Sequence, residues 1–212
     1  MSSEFEPERS VVFVVDDDEA MRNAVGRLVR SIGLEVVTLA SAHEFREAKL
    51  PEANYCLILD VRLPGLGGLD FQEELTKANV RAAIIFLTAY GDIPMTVKAM
   101  KAGAVEFLTK PFREQDLIDA IHLALGRDRQ RRKEECSVVA LHQKFARLSP
   151  REQEVMAYVT SGLLNKQIAN EIGISEYTVK LHRGHVIEKM EAKSLAELVR
   201  MADALGVSSP TA

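Results

Sequence analysis

The stretch Val11-Val12-Phe13-Val14-Val15-Asp16-Asp17-Asp18 decides the fold of the front half, because three carboxylates directly follow five apolar residues. A short apolar run of this kind is typical of a buried strand. Three further runs follow, and they lead to Asp60, Thr88 and Lys110. Ligands of open parallel sheets bind beyond the carboxyl ends of the strands. Carboxylates crowded at such a point repel one another unless a cation lies between them.

Segments of helical periodicity alternate with the strands of the front half. Residues 19–31 place Met21, Val25 and Leu28 on one face, and a further short strand is predicted at residues 35–39. Five strands that alternate with five helices require a parallel sheet with helices on both faces, joined by right-handed crossovers. The predicted fold class of the front half is therefore α/β.

The pattern changes at Gly126, and there is no strand signal after Leu148. Residues 127–135 are a charge run without an apolar residue, which favours a solvated helix face or a linker. Four helices are predicted after residue 148, and two of them are short and joined by a tight turn, as in a helix-turn-helix. The predicted N-caps of the four helices are Ser149, Asn165, Ser175 and Ser194.

Charge is distributed unevenly along the 212 residues. Residues 1–125 carry 13 Lys and Arg against 20 Asp and Glu, and the remainder carries 14 against 11, which gives the net charge of −4. A polycationic protein is excluded, but a local nucleic-acid footprint in the rear half is allowed. Neither a membrane-spanning run nor a signal peptide is evident, so no membrane contact is expected. Two distant cysteines, Cys56 and Cys136, favour a cytoplasmic protein with reduced thiols.

The polar strand ends carry the groups that phosphoryl transfer to a carboxylate requires. An aspartate accepts the group as an acyl phosphate, Mg2+ takes carboxylate oxygens, and a lysine and a hydroxyl stabilise the developing charge. Taken singly, each residue has an ordinary structural explanation, such as a helix cap or a loop lysine. Their occurrence together on adjacent strands favours the chemical interpretation. The residues concerned are Asp16, Asp17, Asp60, Thr88 and Lys110.

Residues 10–125 resemble a response-regulator receiver domain. The matching stretches are residues 15–19, 59–65 with Gly68, 87–89 and 110–112. The resemblance implies a flavodoxin-like fold with a five-stranded parallel sheet of order 2-1-3-4-5 and a site at the switch point.

The receiver resemblance also implies the phosphorylation site. Asp60 would be the phosphoacceptor, and Asp16 and Asp17 the acidic pair. Asp17, Asp60 and the backbone carbonyl of Arg62 would be the ligands of Mg2+.

The same resemblance implies a switch. Lys110 would pair with the phosphoryl group beside a cis bond to Pro111, and Thr88 and Phe107 would be the switch residues. Thr88 would move toward the phosphoryl oxygens and Phe107 would rotate into the space behind it, which changes the surface of the fourth helix and fifth strand.

The third helix of the rear half, at residues 176–190, carries several basic groups. A helix fits the major groove of DNA, although a solvated surface helix with a few basic residues has the same composition. His182 and His185 are spaced for a metal pair, but the sequence shows no third ligand.

Residues 147–205 resemble a LuxR-type helix-turn-helix of the NarL/FixJ class of response regulators, and residues 91–95 resemble the FixJ branch. The matching stretches are residues 148–155, 162–169, 172–180, 182–183 and 194–199. The resemblance implies that Lys180, Leu181 and Gly184 face bases. The implied backbone contacts are Lys166, Thr178 and Arg183 with His182 beside them. Gly184 lacks a side chain where the family places a base reader, so either direct readout is thin there or His185 compensates.

These interpretations together predict a two-domain transcriptional regulator. The expected partners are a sensor histidine kinase, double-stranded promoter DNA, a second copy of the chain on activation, and RNA polymerase. One alternative is an aspartate-nucleophile phosphatase with an appended helical module, which Arg62 disfavours because it stands where an acid is needed. Another is DNA binding that does not depend on phosphorylation. The predicted segments are an N-terminal tail (1–10), a receiver (11–125), a helical linker (126–147), a helix-turn-helix domain (148–205) and a C-terminal tail (206–212).

Overall fold

The computed structural model describes residues 9–89 and 91–207, and the chain divides into two compact units between Arg132 and Lys133. Residues 1–8 of the predicted N-terminal tail and residues 208–212 of the predicted C-terminal tail lie outside the described residues. Within the described ranges, no helix combines the length and the apolar character needed to cross a membrane.

The first unit alternates strands and helices. Its strands are β1 (Ser10–Val15), β2 (Glu35–Leu39), β3 (Asn54–Asp60), β4 (Ala83–Thr88) and β5 (Glu106–Thr109). Its helices are α1 (Glu19–Ser31), α2 (Ala42–Glu47), α3 (Gly68–Lys77), α4 (Ile93–Lys101) and α5 (Glu114–Ala146), the last of which continues beyond Arg132. The described strands pair in parallel in the order β2-β1-β3-β4-β5, which confirms the predicted topology.

Each face of the sheet packs against its own set of helices. Because side chains alternate along a strand, Phe13 points into one core with Phe71 of α3, and Val14 points into the other with Leu117 and Ile121 of α5. All five side chains are nearly inaccessible to solvent. The central strands are therefore buried on both faces, as parallel strands covered by helices must be.

The second unit is helical in its described part, as predicted. Its own helices are α6 (Pro150–Thr160), α7 (Asn165–Ile172), α8 (Glu176–Met190) and α9 (Leu195–Leu205). Ser149, Ser175 and Ser194 cap α6, α8 and α9 with their side-chain oxygens, as predicted.

The predicted N-cap at Asn165 is wrong by one residue. Helix α7 has Leu164 at its N-cap, and the side chain of Gln167 reaches back to accept a 2.8 Å hydrogen bond from the Leu164 amide. The Asn165 side chain instead accepts a hydrogen bond of 3.2 Å from Arg183 of α8. A contact between two helices therefore replaces the local cap.

The charge run at residues 127–135 is part of α5 and is mostly exposed, but one of its members is not solvated. The side chain of Asp128 is buried and accepts a 3.1 Å hydrogen bond from the backbone amide of Tyr55 in β3. Helix α5 continues through the charge run to Ala146.

Candidate functional site

Strand register gathers the polar residues at the carboxyl edge of the sheet. Val15 pairs with Leu59 across the parallel strands β1 and β3, so the carboxylates that follow them emerge side by side. Strand β4 lies next to β3 and β5 lies next to β4, and both end at the same edge. The residues brought together there are Asp16, Asp17, Asp60, Thr88 and Lys110.

Lys110 lies between two of the carboxylates. Its Nζ is 2.6 Å from Asp16 Oδ2 and 2.6 Å from Asp60 Oδ2. Burial raises the pKa of Asp16, although the hydrogen bond from Lys110 opposes this shift. Burial lowers the pKa of Lys110, but the hydrogen bonds to Asp16 and Asp60 outweigh that effect and the pKa is raised overall. The lysine therefore stays cationic and offsets the repulsion between the two carboxylates.

The carboxylate cluster suits a hard divalent cation. Asp16, Asp17 and Asp60 each offer an oxygen within 4.8 Å of the others. Asp17 is exposed, while the other two are buried. Oxygen ligands with one open side match Mg2+, which retains several waters when it binds to proteins.

The backbone around Asp60 is tightly constrained. The amide of Arg62 donates a 2.9 Å hydrogen bond to Asp60 Oδ1, and the amide of Gly68 donates to the carbonyl of Val61 at 2.9 Å. A Cβ atom at Gly68 would lie only 2.2 Å from the backbone oxygen of Asp60. Glycine at position 68 is therefore required for α3 to begin so close to the end of β3.

The predicted switch residues lie on adjacent strands. Thr88 is fully buried, and its carbonyl accepts a 2.7 Å hydrogen bond from the Lys110 amide. Phe107 is half-buried, with its ring 6.0 Å from that of Phe86. The peptide bond between Lys110 and Pro111 is cis.

Gly91 lies against both predicted switch residues, and sequence reasoning had not singled it out as a contact. A Cβ atom there would approach Phe107 Cε1 to 3.0 Å and Thr88 Cγ2 to 3.6 Å. The loop between β4 and α4 therefore touches the pair directly.

In the second unit, α8 presents the predicted DNA-contacting residues at two levels of exposure. Lys180, Leu181 and Gly184 are exposed on the helix, as is Lys166 on α7. The half-buried members of the predicted set are Thr178, His182, Arg183 and His185.

Tyr177 belongs to the same surface of α8, although it was not among the predicted DNA contacts. It is 78 % exposed and lines a shallow hollow together with Lys180, Leu181 and Gly184. A large exposed aromatic next to a helix N-terminus is the signal that could have identified it, because such a residue gains contact area on binding.

The comparisons with known proteins identify both units. Residues 12–122 match the response regulator receiver domain, and residues 146–202 match the LuxR family of bacterial regulatory proteins. The chain belongs to the response regulators that join a receiver to a LuxR-type DNA-binding domain, which are transcription regulators of two-component systems.

Individual relatives extend over nearly the whole chain. Nodulation protein W of Bradyrhizobium diazoefficiens is 55 % identical over 95 % of this chain and 88 % of its own length. The transcriptional regulatory protein FixJ of Azorhizobium caulinodans is 42 % identical over 95 % of this chain and 96 % of its own. Among solved structures, that of the response regulator StyR is 48 % identical with a TM-score of 0.83, and it covers 92 % of this chain and 98 % of its own.

Proposed function

We propose that a sensor histidine kinase phosphorylates Asp60 and that the phosphorylated chain binds promoter DNA as a dimer to regulate transcription. The observation that carries the proposal is the position of Lys110 Nζ, 2.6 Å from both Asp60 and Asp16 at the carboxyl edge of the sheet. A carboxylate next to a fixed cation is arranged for a reaction in which negative charge accumulates on a phosphoryl group.

The transfer forms one bond and breaks one. A carboxylate oxygen of Asp60 attacks phosphorus, the P–N bond of the kinase phosphohistidine breaks, and the imidazole leaves with its electron pair. Lys110 then pairs with a phosphoryl oxygen in place of Asp60 Oδ2. Asp17, Asp60 and the carbonyl of Arg62 would hold Mg2+, which supplies further neutralisation of the phosphoryl charge when bound.

The switch follows from the added charge. A phosphoryl group brings about −1.5 to −2 charges and three acceptor oxygens. The Thr88 hydroxyl turns toward those oxygens, and the half-buried Phe107 moves into the space behind it. The surface of α4 and β5 changes with it and becomes the contact between two copies of the chain.

DNA recognition is assigned to α8. Its exposed residues Lys180 and Leu181 reach base edges, while Lys166 and Arg183 contact phosphates. Two copies related by a two-fold axis read half-sites about 10–10.5 base pairs apart or a multiple of that spacing. RNA polymerase is the partner through which the bound dimer acts on transcription.

The phosphorylation step is tested with acetyl phosphate and Mg2+ on the full-length chain. Intact-mass spectrometry should show one added phosphoryl group in the parent and in the control Asp116→Asn, which changes an exposed aspartate of α5. Asp60→Asn should show none. Phosphoryl uptake by Asp60→Asn at the parental level would refute the site.

The DNA step is tested by footprinting and affinity measurements with and without acetyl phosphate. Lys180→Ala should weaken specific binding by about 10-fold or more, since a base contact is worth about 1–3 kcal/mol. The control Lys133→Ala changes an exposed lysine of α5 and should bind as the parent does. Equal binding by Lys180→Ala and the parent would exclude this residue as a reader, and footprints identical with and without acetyl phosphate would make binding independent of phosphorylation.

A further inference from the structure

Three side chains converge inside the second unit, between the start of α6 and the middle of α8. Glu152, His182 and His185 each offer a ligand atom, and these atoms lie within 4.8 Å of one another. We call this group the histidine cluster. The sequence shows only the two histidines three positions apart, and folding supplies the carboxylate from a helix 30 residues earlier.

The carboxylate of Glu152 has its two oxygens in different surroundings. Oε2 accepts 2.7 Å hydrogen bonds from the Ser149 amide and from Lys189 Nζ. Oε1 faces His185 Nδ1 at 3.4 Å. Burial raises the pKa of Glu152, but the bonds from Lys189 and Ser149 outweigh it and lower the pKa to about 2. The cluster therefore contains a fully ionised carboxylate at neutral pH.

His182 has a ring nitrogen without a hydrogen-bond partner among the described residues. This atom, Nδ1, is buried. A buried polar nitrogen without a partner is uncommon in folded proteins and requires an explanation. A metal ion is one group that such a nitrogen can bind.

We propose that the histidine cluster binds a divalent transition-metal ion of the Zn2+ class through Glu152, His182 and His185. Two imidazoles and a carboxylate are ligands of the kind found in protein zinc sites, with bond lengths of about 2.0–2.2 Å. Ligand atoms of a tetrahedral ion are then roughly 3.3 Å apart, close to the 3.4 Å between Glu152 Oε1 and His185 Nδ1. Imidazole nitrogen also selects against Mg2+, which prefers oxygen.

A metal ion here ties α8 to the N-terminus of α6. His182 and His185 belong to the same helix as Lys180 and Leu181, which the proposed function assigns to DNA readout. Occupancy therefore limits the movement of α8 and modulates DNA affinity, a consequence that rests on the proposed function, whereas metal binding itself does not.

Lys189 opposes the metal through its charge. Its ammonium shares the Glu152 carboxylate with the proposed ion, and like charges at this distance repel. Lys189→Gln should therefore tighten metal binding, while a cluster held together only by hydrogen bonds would gain nothing from this change.

The experiment is a Co2+ titration of the full-length chain in excess Mg2+, followed by displacement with Zn2+. Tetrahedral Co2+ with nitrogen ligands absorbs strongly in the visible range, whereas Co2+ at the oxygen-lined receiver site is six-coordinate and absorbs weakly. The parent should show the strong band, and Asp17→Asn should keep it. His185→Gln and His182→Gln should lower the Co2+ affinity by about 10-fold or more.

The matched control is His142→Gln, which changes an exposed histidine of α5 and should bind Co2+ as the parent does. Circular dichroism verifies that each variant is folded, and His185→Gln decides the matter if His182→Gln does not fold. The proposal is overturned if the parent gives no strong band, or if His185→Gln binds Co2+ with the parental affinity. Either result leaves the Asp60 assignment standing, because phosphoryl uptake is measured separately.

Discussion

The buried carboxylate of Asp128 accepts a hydrogen bond of 3.1 Å from the backbone amide of Tyr55, 73 residues earlier in the chain. Arg131 and Arg132 on the same helix also donate to this carboxylate, and the Arg132 guanidinium lies 5.4 Å from the centre of the Tyr55 ring. The hydrogen bond joins α5 to the N-terminal end of β3. It therefore anchors the helix to the sheet at the end of β3 opposite to Asp60.

Removal of this anchor should loosen the start of β3. Asp128→Ala leaves the Tyr55 amide without its buried acceptor, which costs about 1–3 kcal/mol. Asp128→Asn keeps a carbonyl acceptor and should cost less. Hydrogen exchange of the Tyr55 amide in the native full-length chain measures the effect. Asp119→Ala, on the exposed side of α5, is the control and should leave this exchange rate unchanged; an unchanged rate in Asp128→Ala as well would contradict the anchor.

Two neighbouring glycines at the start of α3 should respond very differently to alanine. A Cβ at Gly68 would meet the backbone oxygen of Asp60 at 2.2 Å, and a backbone atom cannot rotate away. Gly68→Ala should therefore destabilise the receiver by about 3 kcal/mol and reduce phosphoryl uptake. Gly67→Ala places its Cβ 3.5 Å from the nearest atom, an oxygen of the Asp70 side chain, and should cost less than about 1 kcal/mol.

Native-state hydrogen exchange of β3 measures the stability difference between the two variants, and intact-mass spectrometry after acetyl phosphate treatment measures uptake. If Gly68→Ala had the parental stability and phosphoryl uptake, the backbone at the start of α3 would be able to move away from Asp60, which would contradict the prediction.

Alanine at Gly91 should disturb the switch pair. Its Cβ would lie 3.0 Å from the Phe107 ring and 2.7 Å from a methyl group of Thr109. These neighbours are side chains that can move, so we expect a loss of about 1–2 kcal/mol together with a displaced Phe107 ring. NMR shifts of the Phe107 ring and exchange of β5 amides measure both effects.

Gly126→Ala provides a control of opposite sign for this prediction. Position 126 lies inside α5, and beyond the adjacent backbone of this helix nothing lies within 4 Å of the added Cβ, so the helix should gain about 0.5–1 kcal/mol. A gain in stability for Gly91→Ala of similar size would contradict the contact with Phe107.

The two cysteines should differ in reactivity. Cys56 is fully buried in β3, and burial raises the pKa of its thiol, with the nearby Asp128 adding to the shift. Cys136 is exposed on α5. A disulfide reagent at neutral pH should therefore modify one thiol per native chain, because only an accessible thiolate reacts. The measurement is the absorbance of the coloured thiol that the reagent releases. Denaturation should raise the number of modified thiols to two per chain.

Single replacements test the assignment of the reactive thiol. Cys136→Ser should abolish the native reaction, while Cys56→Ser should leave it unchanged. Rapid modification of native Cys136→Ser would mean that β3 opens to solvent.

The carboxyl-edge residues of the receiver could be found without coordinates. Apolar runs that end in Asp16, Asp60 and Thr88 indicate parallel strands, and parallel strands place their ends at one edge. Val15 and Leu59, the last apolar residues of two of these runs, pair with each other in the structure. Most helix starts were also predictable, since caps such as Ser149 depend on neighbours within one turn.

Contacts between distant segments were beyond local patterns. The charge run at residues 127–135 predicts solvation, yet Asp128 is buried because Tyr55 offers an amide at that position. Asn165 has the composition of a cap, but Arg183 from another helix binds its side chain. Propensity describes a few neighbouring residues, so it cannot register a partner that folding brings from far along the chain.

Periodicity and strand ends in the chain were thus sufficient for the α/β architecture, the helical second unit and the set of polar residues at the carboxyl edge of the sheet. Three-dimensional packing decided which groups from different elements come into contact. Lys110 lies between two carboxylates, Gly68 lies against Asp60, and Glu152 lies beside a pair of histidines. The physical reason is range. Hydrophobic periodicity and capping act over a turn or a strand, whereas hydrogen bonds and ion pairs form only where distant segments come within about 3–4 Å.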